Sequence, residues 1–147
     1  MKKKLLAILA IVMVVIMAGA CAKGVEANKD ENIIVPAEDF ANFKNIQKQV
    51  ELEKGATLNL ILGSNPTTGY SWTENAGLSN AAVLEQTGHT YVEPGKTNVP
   101  VVGAGGHERW TFSTLESGTT KITVQYARPW EKDTAPEWTF ELTVVVK

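Results

Sequence analysis

Few residues in this 147-residue sequence have the type and spacing of a catalytic centre. Cys21 is the only cysteine, and His107-Glu108 lacks the second histidine of the His-Glu-x-x-His zinc motif. No Gly-x-Ser-x-Gly nucleophile motif occurs. His89 and His107 are the only histidines, and we expect both to be ordinary surface residues. The sequence therefore predicts neither an enzyme nor a metal or cofactor site, although carboxylate pairs among the 16 acidic residues stay open.

The stretch SNPTTGYSW, residues 64–72, combines residue types that stiffen a loop. Pro66 fixes its own φ and favours an extended Asn65, while Gly69 can adopt a positive φ. Two further positions are β-branched residues with few rotamers: Thr67 and Thr68. One interpretation is a stable strand connection with an Asx-type turn at Asn65. The other is a rigid loop that is presented to a partner molecule.

The stretch VVGAGGHERW, residues 101–110, places three glycines within four positions after two valines. Glycine-rich loops can bind phosphate, but the Lys-Ser/Thr of a P-loop and the third glycine of the dinucleotide fingerprint are both absent. The remaining interpretations are a flexible loop and a backbone left bare so that another protein's backbone can pair with it.

The stretch ARPWEKDTAPEW, residues 127–138, separates two well-patterned segments. Pro129 keeps Arg128 extended, and Trp130 follows immediately. Trp and Arg are enriched among the residues that contribute most to binding at protein interfaces. This favours a binding loop, and the alternative is a core Trp130 beside a charged neighbour.

The N-terminus has the organisation of an export signal in residues 1–20. Three lysines precede an apolar run over residues 5–17, which is too short for a comfortable membrane span, and small residues follow. Cys21 comes directly after them, which resembles the lipobox of bacterial lipoproteins with Ala18 where leucine is usual. This resemblance implies a lipid on Cys21 and retention at the bacterial cell envelope, and a plain secretion signal is the alternative.

Beyond the signal, the sequence predicts one exported domain on a tether. Residues 21–45 are polar with little periodicity, so we expect a tether there and the domain at residues 46–147. Without a second cysteine, packing of the core must stabilise this domain. Removing the three lysines of the signal leaves 11 basic and 16 acidic residues, a net charge of −5. With no basic run, nucleic acid and anionic membrane surfaces are poor partners, and only the lipid would contact a membrane.

Period-two alternation of apolar residues dominates the chain after residue 45. The alternating segments include Leu58/Leu60/Leu62, Tyr70/Trp72, Trp110/Phe112, Ile122/Val124/Tyr126 and residues 138–146. About seven short strands with turn residues between them predict an all-β, immunoglobulin-like β-sandwich. In such a sandwich the connections after the second, fourth and sixth strands emerge at one end. The three unusual stretches fall in these connections, so they can form one surface.

Taken together, the three stretches resemble the chagasin family, reversible protein inhibitors of papain-like cysteine proteases. The loops of this family carry the motifs Asn-Pro-Thr-Thr-Gly-aromatic, Gly-x-Gly-Gly and Arg-Pro-Trp/Phe, in this order. The matching residues here are Asn65, Pro66, Thr67, Thr68, Gly69 and Tyr70, then Gly103, Ala104, Gly105 and Gly106, and finally Arg128, Pro129 and Trp130.

The resemblance implies an immunoglobulin-like domain whose three loops fill the protease cleft as a wedge. Thr67 and Thr68 would cover the catalytic cysteine and histidine of the protease. Val101 and Val102 of the glycine loop would approach the apolar pocket on the non-primed side. Trp130 would face an aromatic wall on the primed side. We expect the domain to act as a monomer without a cofactor, and the sequence does not specify the natural target protease.

A second function class fits some of the same residues. A lipid-anchored adhesion or carbohydrate-binding module could use Trp130 and Trp138 as stacking platforms. Papain separates the two hypotheses, because an adhesion module would leave this protease active.

Overall fold

The computed structural model describes residues 28–95 and 105–147, and β-strands dominate both ranges. The strands are β1 (Asn28–Val35), β2 (Asn45–Ser64), β3 (Ser71–Trp72), β4 (Gly77–Leu78), β5 (Leu84–Val92), β6 (Gly106–Thr114), β7 (Gly118–Ala127) and β8 (Trp138–Val146). One short helix, α1 (Ala37–Asn42), follows β1, and a 3-10 turn spans Pro66–Thr68. Over these two ranges, the structure has no helix with the length and apolarity of a membrane span. The export signal and Cys21 lie outside the described residues.

The strands form one sheet that curls around a core. The order is β3-β7-β8-β2-β6-β5, with β1 also paired to β2 and β4 also paired to β7. The first part of β2 pairs with β8 and its second part pairs with β6, so β2 joins the two halves of the sheet. Gly55 lies between these parts with φ +82°, a conformation that glycine adopts without strain. The prediction of an all-β, immunoglobulin-like β-sandwich is confirmed, with eight described strands in place of about seven and with both halves belonging to one curled sheet.

The core arises from the alternating pattern that the sequence shows. Side chains at every second position face inward and are removed from water, which stabilises the fold in proportion to the apolar area buried. The fully buried apolar residues of β2, β6, β7 and β8 include Leu58, Leu60, Leu62, Trp110, Phe112, Ile122, Val124, Phe140, Leu142 and Val144. Trp138, which the pattern placed in this series, is only partly buried and packs against the core.

The segment before residue 46 contains structure where the sequence predicted only a tether. β1 pairs in parallel with β2, and Val35 at its end is buried. Phe40 of α1 is 0% exposed, and its ring centroid lies 5.0 Å from that of Trp72. The prediction is therefore wrong for residues 28–45, because these residues supply part of the core. The apolar residues 33–35 form one short run in an otherwise polar segment, which gives no repeating pattern from which this could be predicted.

We predict that Phe40→Ala lowers the free energy of unfolding by about 3–5 kcal/mol, because it removes a fully buried ring and leaves a cavity. Urea unfolding measures this loss. The control is Phe43→Ala, just after the same helix, where the side chain is 67% exposed and the expected change is small. Equal stability of the two variants would show that α1 does not contribute to the core.

Candidate functional site

The first loop, residues 65–70, is fixed by hydrogen bonds within itself. The Thr67 hydroxyl donates to Asn65 Oδ1 at 2.6 Å, and the Thr68 hydroxyl donates to the Asn65 carbonyl oxygen at 2.7 Å. Asn65 therefore accepts a side-chain hydroxyl and does not cap a backbone N–H, so the Asx-type turn, one of the two interpretations of this stretch, does not form. The turn ends at Gly69, which has the positive φ expected from the sequence, +81°. Both threonines are exposed at the tip of this stiff loop.

The base of the first loop is tied to the rest of the domain on both sides. The Tyr126 hydroxyl accepts from the Asn65 backbone N–H at 3.0 Å. Glu108 Oε1 accepts from the Ser64 hydroxyl at 2.8 Å and from the backbone N–H of Trp72 at 3.1 Å. Ser64 precedes the loop and Trp72 follows it, so one carboxylate oxygen holds both of its flanking strands.

Two polar residues beneath this loop, Glu108 and His89, are removed from most of the solvent. Glu108 is 4% exposed, and its second oxygen lies 2.9 Å from Nε2 of the mostly buried His89. The His89 ring also packs against Trp110, with centroids 4.9 Å apart. The expectation of a surface His89 is therefore wrong, because its partners come from another strand and only the fold brings them together.

His107 is also buried, at 1% exposure, which corrects the same expectation for this residue. Its two ring nitrogens have no hydrogen-bond partner in the part of the chain that the structure describes. Burial lowers the pKa of His107 and the charge of Arg109 lowers it further, so this imidazole is neutral at pH 7. His107 lies in β6 but out of phase with the alternating Trp110 and Phe112, so the sequence pattern gives no signal for its burial.

The third loop, residues 128–137, presents one aromatic ring to solvent and fixes one cation. Trp130 is 66% exposed, so the alternative of a core tryptophan is wrong. The Arg128 guanidinium lies 4.5 Å from the centre of the Tyr70 ring, and its Nη1 donates to Glu131 Oε1 at 3.1 Å. This hydrogen bond raises the pKa of Arg128 above its ordinary value, so the side chain stays charged. Pro129, which lies between Arg128 and Trp130 in the chain, is exposed.

The first and third loops touch at Gly69 and Trp130. A Cβ atom at Gly69 would lie 2.8 Å from Cη2 of Trp130, closer than side-chain carbons approach. Glycine at position 69 therefore satisfies two requirements at once, a positive φ and space for the indole. The stacking of Arg128 on Tyr70 adds a second contact between the same two loops.

The glycine stretch is described only at its C-terminal end. Gly105 lies against the end of β2, because a Cβ atom there would be 2.7 Å from the Ser64 carbonyl oxygen. A Cβ atom at Gly106 would overlap the Val92 carbonyl oxygen of β5. These two glycines are thus required by close packing inside the domain. The remaining predicted site residues of this stretch lie outside the described residues: Val101, Val102, Gly103 and Ala104.

The described parts of the three loops therefore meet at one end of the curled sheet. Gly105 borders the first loop at Asn65, and Trp130 borders it at Gly69. Across residues 28–95 and 105–147, no group of three His, Cys, Asp or Glu side chains is arranged to hold a metal ion. The exposed groups at this end, an asparagine, two prolines, two threonines and a tryptophan, are suited to binding another protein.

Comparison with known proteins identifies relatives with the same fold. Amoebiasin-1 of Entamoeba histolytica is 35% identical over 100 residues, which cover 67% of this chain and 89% of the relative. The crystal structure of a cysteine protease inhibitor from Entamoeba histolytica matches with a TM-score of 0.60 at 22% identity, covering 80% of this chain and 97% of that one. A structure of PbICP-C in complex with falcipain-2 matches with a TM-score of 0.52 at 16% identity, covering 82% and 100%. At these identities the two structures show the fold alone.

The sequence profile of the chagasin family peptidase inhibitors, I42, matches residues 51–144. This range contains all three loops and every strand from β3 to β7. A family made of peptidase inhibitors also confirms the expectation that the protein is not an enzyme. The chain belongs to the chagasin family of peptidase inhibitors.

Proposed function

We propose that this protein is a tight, reversible inhibitor of papain-like cysteine proteases and that its three loops block the active-site cleft. The observation that carries the proposal is the packing of Trp130 against Gly69, which joins the first and third loops into one exposed surface. Family membership supports the same function, and the complex of PbICP-C with falcipain-2 supports a papain-like target. The match does not support the alternative of an adhesion or carbohydrate-binding module.

The first loop is proposed to cover the catalytic cysteine without serving as a substrate. A substrate must bring its scissile carbonyl into line with the attacking thiolate. Thr67 and Thr68 are held by hydrogen bonds to Asn65 in the free protein, so the loop resists this adjustment. A loop that is already ordered also loses little conformational entropy on binding, which raises affinity.

The third loop is proposed to supply the main apolar anchor. The exposed ring of Trp130 is the type of side chain that contributes most to binding when a partner buries it. Arg128 is immobilised between Tyr70 and Glu131 before binding, so fixing this long side chain costs little further entropy. Pro129 restricts the backbone between Arg128 and Trp130, which keeps these two side chains in a fixed relation.

The glycine loop is proposed to lie along the non-primed side of the cleft, as the family resemblance implies. Val101 and Val102 would contact the apolar pocket there, and Gly103 and Ala104 would expose backbone to the protease. Support comes from Gly105, which holds the end of this loop beside the first loop.

We also propose that Cys21 carries a lipid and anchors the domain, as a monomer, at the bacterial cell envelope. The support is the signal-like organisation of residues 1–20 and the position of Cys21 directly after it. β1 runs parallel to the second part of β2, toward the first loop. The anchored end of the domain would then lie on the opposite side from the loops, which would point away from the membrane.

We predict that the purified protein inhibits papain with an inhibition constant on the order of nanomolar or lower, as preorganised interfaces of standard size do. Residual papain activity gives the constant, and recovery of activity on dilution tests reversibility. Mass spectrometry after long incubation should find the inhibitor uncut. A stoichiometric cleavage within residues 67–70 would instead make the protein a slow substrate.

We predict that Trp130→Ala weakens inhibition by about 2 kcal/mol or more, chiefly through faster dissociation, because a desolvated anchor is lost. Its melting temperature should barely change, since the ring is largely exposed. The matched control is Trp138→Ala, whose ring stacks on Tyr126 with centroids 4.5 Å apart. This control should lower the melting temperature much more than Trp130→Ala does. The opposite pattern would remove the third loop from the interface.

We predict that the mature protein begins at Cys21 and carries a lipid on it. Mass spectrometry of the N-terminal peptide from the native source measures both features. Cys21→Ser should release the protein from the membrane fraction. An unmodified N-terminus at another residue would leave plain secretion as the explanation.

A further inference from the structure

We infer that Glu108 is a positioning residue for the inhibitory surface: its buried carboxylate joins the two strands between which the first loop is held. The consequence for inhibition rests on the proposed function, whereas the consequence for the loop's rigidity does not. Glu108 is outside all three loop motifs and has no exposed surface with which to contact a protease, because it is 4% exposed.

The position of Glu108 in β6 makes a carboxylate unexpected there. Residues Trp110, Phe112 and Thr114 alternate along this strand and face inward, and Glu108 is the next member of the same series. An apolar residue at this position would continue the core at lower cost, since burying a carboxylate requires that its lost hydration be replaced. A carboxylate in this place therefore indicates a task that an apolar side chain cannot perform.

The contacts of Glu108 define that task. A carboxylate only accepts hydrogen bonds, so each of its three partners must donate. The donors are the Ser64 hydroxyl at 2.8 Å, the Trp72 backbone N–H at 3.1 Å and His89 Nε2–H at 2.9 Å. Ser64 ends β2 and Trp72 ends the short strand β3, so the first two bonds fix the distance between the chain segments that enter and leave the loop.

His89 and Trp110 hold this carboxylate in place from the other side. His89, on β5, bonds to the second oxygen and packs its ring on Trp110. Trp110 Nε1 donates to the Glu74 carbonyl oxygen at 3.0 Å, a few residues beyond the first loop. The carboxylate thus belongs to a buried network that joins β2, β3, β5 and β6 beneath the loop.

Loss of this network would release the loop ends without changing any residue that touches the protease. β3 has two residues and pairs with β7, and the exit of the loop is otherwise held by the buried Trp72 indole, whose Nε1 donates to the Gly63 carbonyl oxygen, and by the Thr73 N–H. Glu108 therefore holds the Trp72 backbone N–H, which the packed indole leaves unfixed. A loop with one released end can move its carbonyl groups toward the attacking thiolate. We therefore expect a weakened Glu108 network to convert part of the inhibitor into substrate.

Three variants test this inference in the mature, full-length protein. Glu108→Ala removes the oxygen that accepts from both loop ends. Glu108→Gln keeps a carbonyl oxygen that can accept from Ser64 and Trp72, so it is the conservative rescue. Val144→Ala creates a cavity at a fully buried position of β8, near the end of the strand that is farther from the third loop. It serves as the control that lowers the stability of the domain without touching the Glu108 network.

The measurements are hydrogen exchange of the peptide spanning residues 63–73 in the free protein, and the dissociation rate and cleavage of the inhibitor with papain. For Glu108→Ala we expect at least about tenfold faster exchange and dissociation, because two buried donors lose their acceptor, and a new cleavage within residues 67–70. For Glu108→Gln we expect changes below about threefold. Val144→Ala should lower the melting temperature and leave all three readouts unchanged.

Two results would overturn the inference: unchanged loop exchange in Glu108→Ala, or equal changes in Glu108→Ala and Val144→Ala. If Glu108→Ala does not fold, Ser64→Ala replaces it, because this small change removes only one of the two loop-end bonds and should still speed exchange of residues 63–73. If the unmodified protein does not inhibit papain, the proposed function fails, while the exchange measurement still decides the role of Glu108.

Discussion

The packing of Trp72 is the interaction on which the rest of this structure depends. Its buried ring contacts Phe40 of α1 and Trp110 of β6, with centroids 5.0 and 6.5 Å away. Tyr126 and Trp138, on the other half of the sheet, lie at 5.1 and 6.3 Å. The indole N–H also donates to the Gly63 carbonyl oxygen, 2.9 Å away at the end of β2. Without a disulfide in the domain, this aromatic layer closes the sheet at the end that carries the loops.

A polar layer lies directly on this aromatic layer and orders the backbone above it. Tyr126 shows how the two are combined, because its ring packs on Trp72 while its hydroxyl bonds to the Asn65 backbone. Glu108 of β6 also fixes a residue beside the first loop, because its carboxylate accepts a hydrogen bond from the Ser64 hydroxyl. The rigidity of the first loop is thus a property of the core beneath it as much as of its own proline and threonines.

The sequence was sufficient to predict those features that depend on local pattern. The alternating residues of β2, β6, β7 and β8 identified most of the core, and Gly69 identified the left-handed position of the first loop. Local pattern could not predict the burial of Phe40, since one apolar side chain in a polar segment has no period. Nor could it predict the burial of Glu108, whose partners Ser64 and Trp72 lie 44 and 36 residues away along the chain. The exposed position of Trp130 and the partly buried position of Trp138 became certain only from the fold.

Because Gly69 and Trp130 approach closely, the residues that are tolerated at one of these positions depend on the residue at the other. Asparagine tolerates a positive φ better than most residues, yet its Cβ atom would still meet the indole at position 69. A side chain at 69 therefore requires either that the exposed indole of Trp130 turns away or that a smaller residue occupies position 130. Libraries that select an inhibitor of altered specificity should therefore vary both positions together. Transplanting the first loop alone onto another scaffold would leave its glycine facing empty space.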